Sequence, residues 1–280
     1  MPNQNEVKTK RKIKPFEELT IQDNFMFQQI MLEPELCKHL IELVTGLKIK
    51  QLSYPEAEKT LNVDYDAKGI RLDVYVEDEY GNVFDAEMQL RPGSETNIPH
   101  RLRYYQAIID IQLLKSGNDY EQIKRTFIIF ICTFDLYGKG LPIYTFREQC
   151  QEDGSIYLKD ETTKIILNTK FTAPDVPKPL AAFLRYVDGL PAEDDFTSAL
   201  EKRLNDIKKT KKARDSYMTL QLALDEARRE AAAEAAAETS KEKSLELIRA
   251  LMSSMNWTAT QAMQALKIAP AQQQELAPLV

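Results

Sequence analysis

Two short runs in the first third of the chain alternate apolar and polar residues. In one, Leu72, Val74 and Val76 interleave with Asp73 and Tyr75; in the other, Phe84, Ala86, Met88 and Leu90 interleave with Glu87 and Gln89. A period of two belongs to a β-strand, so the runs predict a hairpin whose acids share one face. Tyr80-Gly81-Asn82 supplies the turn between them. Elsewhere the period lengthens. Phe25, Phe27, Ile30 and Met31 predict a helix that starts near Thr20, where Thr20-x-x-Asp23 has the form of a cap, runs towards Leu43 and ends at Gly46. A short strand at Leu61 to Val63 precedes the hairpin. After it, Pro99 opens a helix carrying Tyr104, Ile108, Ile111 and Leu114, which Gly117 stops. The unbroken run Thr126 to Thr133 is rich in β-formers and too short to span a membrane, so it predicts a buried central strand.

Glycine and proline then divide the chain. All nine glycines lie at or before Gly189, and neither residue type occurs between Pro191 and Pro270. The expected organisation is one mixed α/β domain over 15–190 and a helical extension over 191–280, with a long helix at 197–255. Within that helix, Ala231 to Glu238 has strong helix-forming composition, with Glu234 and Glu238 on one stripe. Leu220, Leu224 and Ala227 form a modest apolar seam that falls short of sustained heptads. Leu245, Ile248, Leu251 and Met252 predict further helix, Asn256-Trp257 a turn, and Thr258-x-x-Gln261 the cap of a last helix through Met263 and Leu266. This terminal hairpin has two readings, a small helix-turn-helix reader or a packing and dimerising module. A helix this long needs a partner, so self-association, as a dimer, is expected.

Composition narrows the class. With 43% hydrophobic and 29% charged residues over 280 positions, the chain can bury a full core. It has no apolar run long enough for a membrane span, and its start, M-P-N-Q-N-E-V-K-T-K-R-K-I-K, lacks the apolar core of a secretory signal. A cytoplasmic location without membrane association is the expectation. Cys37, Cys132 and Cys150 are scattered singly, and His39 and His100 are the only histidines, so no zinc-ligand spacing can be assembled. A net charge of -6 means that any contact with nucleic acid rests on local clusters. Three exist: Lys8, Lys10, Arg11, Lys12 and Lys14; Arg91, Arg101 and Arg103; and Lys208, Lys209, Lys211, Lys212 and Arg214. The first and third fit a solvated surface, whereas the second adjoins the hairpin.

The hairpin carries the chemistry. Two carboxylates and an amide converging from adjacent strands, Asp73, Glu87 and Gln89, are hard oxygen donors of the kind that hold Mg2+ or Mn2+. The competing reading is a pair of surface acids on a solvated sheet face. Glu77, Asp78 and Glu79 lead into the turn and read as ordinary solvated charge; Asp64 and Asp66 can approach from the preceding strand, though nothing in the spacing requires it.

The spacing D-x13-E-x-Q from Asp73 to Gln89 resembles the PD-(D/E)XK nuclease superfamily. The surrounding strings narrow the resemblance: R-L-D-V-Y-V, A-E-M-Q-L-R-P-G and R-L-R-Y-Y-Q, with D-N-F-M-F-Q-Q near residue 23 and I-Y-T-F-R-E-Q-C and T-K-I-I-L-N-T between 143 and 169. Together they are similar to the PD-(D/E)XK nuclease family transposases, the Rpn-type recombination-promoting nucleases of bacteria, over most of residues 15 to 190. The resemblance implies a restriction-endonuclease-like α-β-β-β-α-β core and metal-dependent cleavage of DNA. It makes Asp73 and Glu87 metal ligands, adds the Met88 carbonyl, and places Gln89 where the superfamily most often has lysine. A neutral amide can orient a water but adds no positive charge. Arg101 and Arg103 are candidates to grip phosphate and replace part of that charge. Asp23 matches the first-helix acid, which either reaches the metal through water or merely starts the helix.

The leading expectation is a Mg2+-dependent DNA endonuclease of low sequence selectivity linked to recombination or mobile elements. The alternative is a non-catalytic DNA-binding or assembly protein that retains the nuclease fold as scaffold; a defence or toxin nuclease is a third reading. Metal binding at Asp73 and Glu87 separates the enzyme from the scaffold.

Overall fold

The computed structural model describes residues 14–53, 56–61, 70–90, 97–114 and 119–280. The buried run at 126–132 lies in the middle of a six-stranded sheet. β1 (Glu56–Leu61), β2 (Ile70–Glu77), β3 (Val83–Gln89), β4 (Thr126–Cys132), β5 (Ile143–Phe146) and β6 (Thr162–Asn168) pair in the order β1-β2-β3-β4-β6-β5. β1–β2, β2–β3 and β5–β6 are antiparallel; β3–β4 and β4–β6 are parallel. Every residue of β3 and β4 is buried, as expected of central strands covered on both faces. The β2–β3 turn contains Gly81 at a φ of 79°, a left-handed conformation that glycine adopts without a Cβ clash. Asp78 is not simply solvated. Its carboxylate accepts hydrogen bonds from the Tyr80 and Asn82 backbone N–H groups and the Asn82 amide, which fixes the turn.

The first predicted helix is two. α1 (Asn24–Met31) ends before Pro34, which lacks an N–H and opens α2 (Pro34–Thr45); Gly46, at a φ of 72°, ends α2 as expected. Thr20 does not cap α1. Its N–H and hydroxyl instead donate to the carboxylate of Asp23, the residue preceding the helix. α3 (Ile98–Leu113) makes the crossover between the parallel β3 and β4. Its buried stripe of Ile98, Leu102, Tyr105 and Ile109 repeats at helical spacing and joins Ile128, Phe130 and Cys132 of β4 in one cluster.

The long helix expected over 197–255 is likewise divided. α4 (Lys178–Val187) and α5 (Asp195–Lys208) precede α6 (Lys211–Met255), and Thr210 interrupts the helix between α5 and α6. α5 starts at a capping box formed by Asp194 and Thr197 and buries Phe196, Leu200, Leu204 and Ile207. Phe196 stacks on His39 of α2 at 4.1 Å. These contacts carry the first compact unit, Met1–Arg214, past the boundary expected at residue 190; the second unit is Asp215–Val280. In the second unit, Thr258 and Gln261 form the predicted capping box at the start of α7 (Ala259–Ala265). Ile248 packs with Ala262, Met263 and Leu276, the last on α8 (Pro270–Leu276). Among the described residues no helix is long and apolar enough to cross a membrane. Lys8, Lys10, Arg11, Lys12, Val63, Asp64, Asp66, Arg91 and Gly117 lie outside the described residues.

Candidate active site

The site forms where β2 and β3 stop sharing a backbone ladder. Their pairing runs from Glu77↔Val83 to Val74↔Ala86; one residue further on, side chains take over from carbonyls as acceptors. The Asp73 N–H donates to Glu87 Oε1 at 2.8 Å, and the Met88 N–H donates to Asp73 Oδ2 at 3.1 Å. The two acids are thus held against each other's backbone, each satisfying an amide that would otherwise be orphaned in the core.

Three further polar side chains close around them. The Asn24 amide of α1 donates to both Asp73 oxygens, at 3.2 and 2.9 Å, and Gln28, one turn on, donates to Oδ1 at 2.9 Å. On the other side, Arg101 of α3 donates to Gln89 Oε1 at 2.7 Å, to the Tyr105 hydroxyl at 2.8 Å and to Glu87 Oε2 at 3.4 Å. Its guanidinium lies 5.0 Å from the centre of the Phe130 ring, a cation–π contact that fixes its plane. Gln89 Nε2 donates to the Met88 carbonyl at 2.9 Å.

Burial sets the electrostatics. The acids do not occupy a solvent-accessible rim: Asp73 is 6% exposed and Glu87 is 2% exposed. A third carboxylate, Asp85, is fully buried, and neither of its oxygens has a hydrogen-bond partner among the described residues. Burial pushes the Asp73 carboxyl up, against the opposing pull of the Met88 N–H, Gln28, Asn24 and Arg101. It pushes Glu87 and Asp85 well above the usual carboxylate range, and the neighbouring acids push in the same direction. The Tyr105 hydroxyl is raised to about 12 by burial and by the Glu87 charge. Among the described residues no three His, Cys, Asp or Glu side chains converge closely enough to hold a metal ion, so Asp85 does not complete a three-acid cluster with Asp73 and Glu87.

These contacts sort the residues expected from sequence. Asp73, Glu87, Met88, Gln89 and Arg101 come together. Arg103, two residues beyond Arg101, is exposed and instead lines a cleft with Arg147 and Lys164. The Asp23 carboxylate faces Lys14, at 2.6 Å, and Thr20. The α1 residues that reach Asp73 are Asn24 and Gln28, which sequence reasoning passed over, although amides at i and i+4 in a mostly apolar helix are a legible signal. Asp85 was passed over too, despite sharing the parity of Glu87 and Gln89.

A family described as PD-(D/E)XK nuclease family transposase matches residues 26–172, just over half of the chain. The chain belongs to this family. The match spans α1 from Met26 onward, the hairpin with Asp73 and Glu87, α3 with Arg101, and all of β4 to β6. A PD-(D/E)XK domain accounts for the mixed sheet and its flanking helices, and membership implies a phosphodiesterase-type hydrolase that acts on DNA with a divalent metal. Comparison with curated proteins and with solved structures finds no match.

Proposed function

We propose that this PD-(D/E)XK protein is a Mg2+- or Mn2+-dependent DNA endonuclease of low sequence selectivity, with Asp73 and Glu87 as its metal ligands and Gln89 as the residue that orients the attacking water. The observation that carries this reading is the hydrogen-bonded pairing of two buried carboxylates where β2 and β3 part. Among the described residues three buried acids share the region with one cation, Arg101, and a divalent ion would supply the missing positive charge. The donors are oxygen only, which suits Mg2+ or Mn2+. Asp73, Glu87 and the Met88 carbonyl would hold the ion, and the bound ion lowers the pKa of water and neutralises charge on phosphate.

The chain's own groups do the rest. Asn24 and Gln28 hold the Asp73 carboxylate in one orientation. Gln89 cannot add charge, but the Arg101 guanidinium at its Oε1 brings a permanent cation to the position where the superfamily most often has lysine. Substitution tests the two roles: in a plasmid-cleavage assay Gln89→Lys should retain cleavage, whereas Gln89→Leu should lose it. The narrower assignment to Rpn-type recombination-promoting nucleases, and with it a role in recombination or mobile elements, rests on the strings R-L-D-V-Y-V, A-E-M-Q-L-R-P-G and R-L-R-Y-Y-Q. For the C-terminal helices we propose pairing of two copies, because Met218 and Leu222 are exposed one turn apart on α6. Light scattering of the parent and Leu222→Glu tests that pairing.

One observation favours the scaffold alternative. Arg101 already pairs with Glu87 and binds Gln89, as in a purely structural ion pair. Cleavage of supercoiled plasmid in Mg2+, with Asp73→Ala and Glu87→Ala as controls, decides between the two. The endonuclease reading requires nicking or linearisation by the parent and its loss in both folded variants; an inactive parent that binds no metal leaves the scaffold.

A further inference from the structure

α3 separates two polar regions of the sheet face. Arg101 points to the acids, while Arg103, Gln106 and Asp110, spaced as one helical stripe, line a cleft of about 550 Å3 at the β5–β6 edge. The register places this cleft relative to the acids. Asp85 pairs with Ile128, Ile128 with Lys164, and Lys164 with Phe146, so these four side chains form a row across four strands on one face. Lys164 is two strands from Asp85, roughly 10 Å at about 4.8 Å per strand. That distance corresponds to about three nucleotides of stacked strand at roughly 3.4 Å each.

The lining combines three kinds of group. Arg103, Arg147 and Lys164 bring positive charge, and among the described residues neither Arg103 nor Arg147 has an ion-pair partner; Lys164 reaches Glu148 only at 3.9 Å. Tyr137 and Phe146 form a half-exposed aromatic wall, their ring centroids 5.4 Å apart. Gln106 is 8% exposed; its Nε2 donates to Asp110, and its Oε1 has no partner among the described residues. A buried amide oxygen without a donor is costly unless a ligand supplies one. Asp110 and Glu148 also line the cleft, so its net charge is modest and its acceptors favour a ligand that brings N–H groups as well as phosphate.

We propose that the cleft is a nucleotide subsite, which takes one base and its phosphate from a single-stranded stretch of DNA whose phosphodiester about three nucleotides away lies at Asp73 and Glu87. The base stacks on Phe146 and Tyr137, its exocyclic amine donates to Gln106 Oε1, and Arg103, Arg147 and Lys164 hold the phosphate. This rests on the endonuclease reading for its substrate. The cleft therefore confers a bias towards amine-bearing bases on an enzyme otherwise indifferent to sequence, with thymine the poorest occupant.

Fluorescence anisotropy with labelled dA, dC and dT 12-mers, on the full-length protein in EDTA so that nothing is cut, tests the subsite apart from the chemistry. The parent should bind dA and dC more tightly than dT. Phe146→Ala and Arg147→Ala should each weaken dA and dC binding fivefold or more, the latter also lowering the salt slope by about one. Gln106→Leu should bring dA and dC down to the dT level. Ala235→Gly, on the exposed stretch of α6, should bind the oligonucleotides like the parent, and because EDTA removes the metal a failure of the catalytic assignment would not disturb this result. Unchanged binding in correctly melting Phe146→Ala and Arg147→Ala proteins overturns the subsite even if Asp73→Ala abolishes cutting. Tighter binding of a phosphoserine peptide than of any oligonucleotide overturns it as well.

Discussion

β3 and the middle of α6 are both rich in acids, yet their settings are opposite. β3 buries all of its residues, Asp85, Glu87 and Gln89 included, whereas residues 226–243 of α6 are exposed without exception. Exposed glutamates on an alanine-rich helix cost little, and the helix there is held by intrinsic propensity. Buried carboxylates cost several kcal/mol each unless a partner or ion compensates. A protein retains such an arrangement only where another requirement outweighs stability, so the acids of β3 point to chemistry and those of α6 do not.

The largest effect that would sharpen this contrast is at Arg101, the one cation among the described residues that contacts the acids. Arg101→Ala should lower stability by about 2–4 kcal/mol in EDTA, part of which Mg2+ restores, and should reduce plasmid cleavage by roughly a hundredfold or more. Thermal melts with and without Mg2+ check the first, and initial rates the second. An equal loss in both conditions would mean that metal and guanidinium do not share the same acids.

Asp85 gives a smaller effect with a definite sign. Because its pKa is raised in the folded state, folding favours the protonated acid: that stability is complete below the ordinary carboxylate range and is lost as pH rises through the raised value. Asp85→Asn removes the loss. The variant should come closest to the parent near pH 4 and exceed it by about 1–2 kcal/mol at pH 8, measured by urea unfolding in EDTA. A gap that is constant with pH would show that Asp85 does not titrate with folding. The smallest effect belongs to α6. Ala235→Gly should cost about 1 kcal/mol of local helix stability, visible in hydrogen exchange, and leave cleavage unchanged.

Much of this contrast was legible in the letters. Strict alternation around Asp73 and Glu87 placed the strands, and T-F-I-I-F-I-C identified the buried β4. The helix breaks before Pro34 and at Thr210 were less legible, because apolar periodicity carries across an interruption of one or two residues. Depth was not legible at all: the same alternation describes a half-exposed hairpin and one covered by α3, and only tertiary packing distinguishes them. For the same reason Asp85 carried no weight as a letter, and Arg103, adjacent in sequence to the Arg101 turn, was grouped with it although a difference of two positions sends it to another flank of the helix.

The most direct test of the central claim is calorimetric titration of Mn2+ into the full-length protein and into Asp73→Asn and Glu87→Gln. Two carboxylates that must lose protons to bind predict saturable binding by the parent with proton release, seen as a dependence of the heat on buffer ionisation, and at least about tenfold weaker binding in either variant. Parent-like binding in both variants, or no binding by the parent, would contradict the assignment of Asp73 and Glu87 as a metal site.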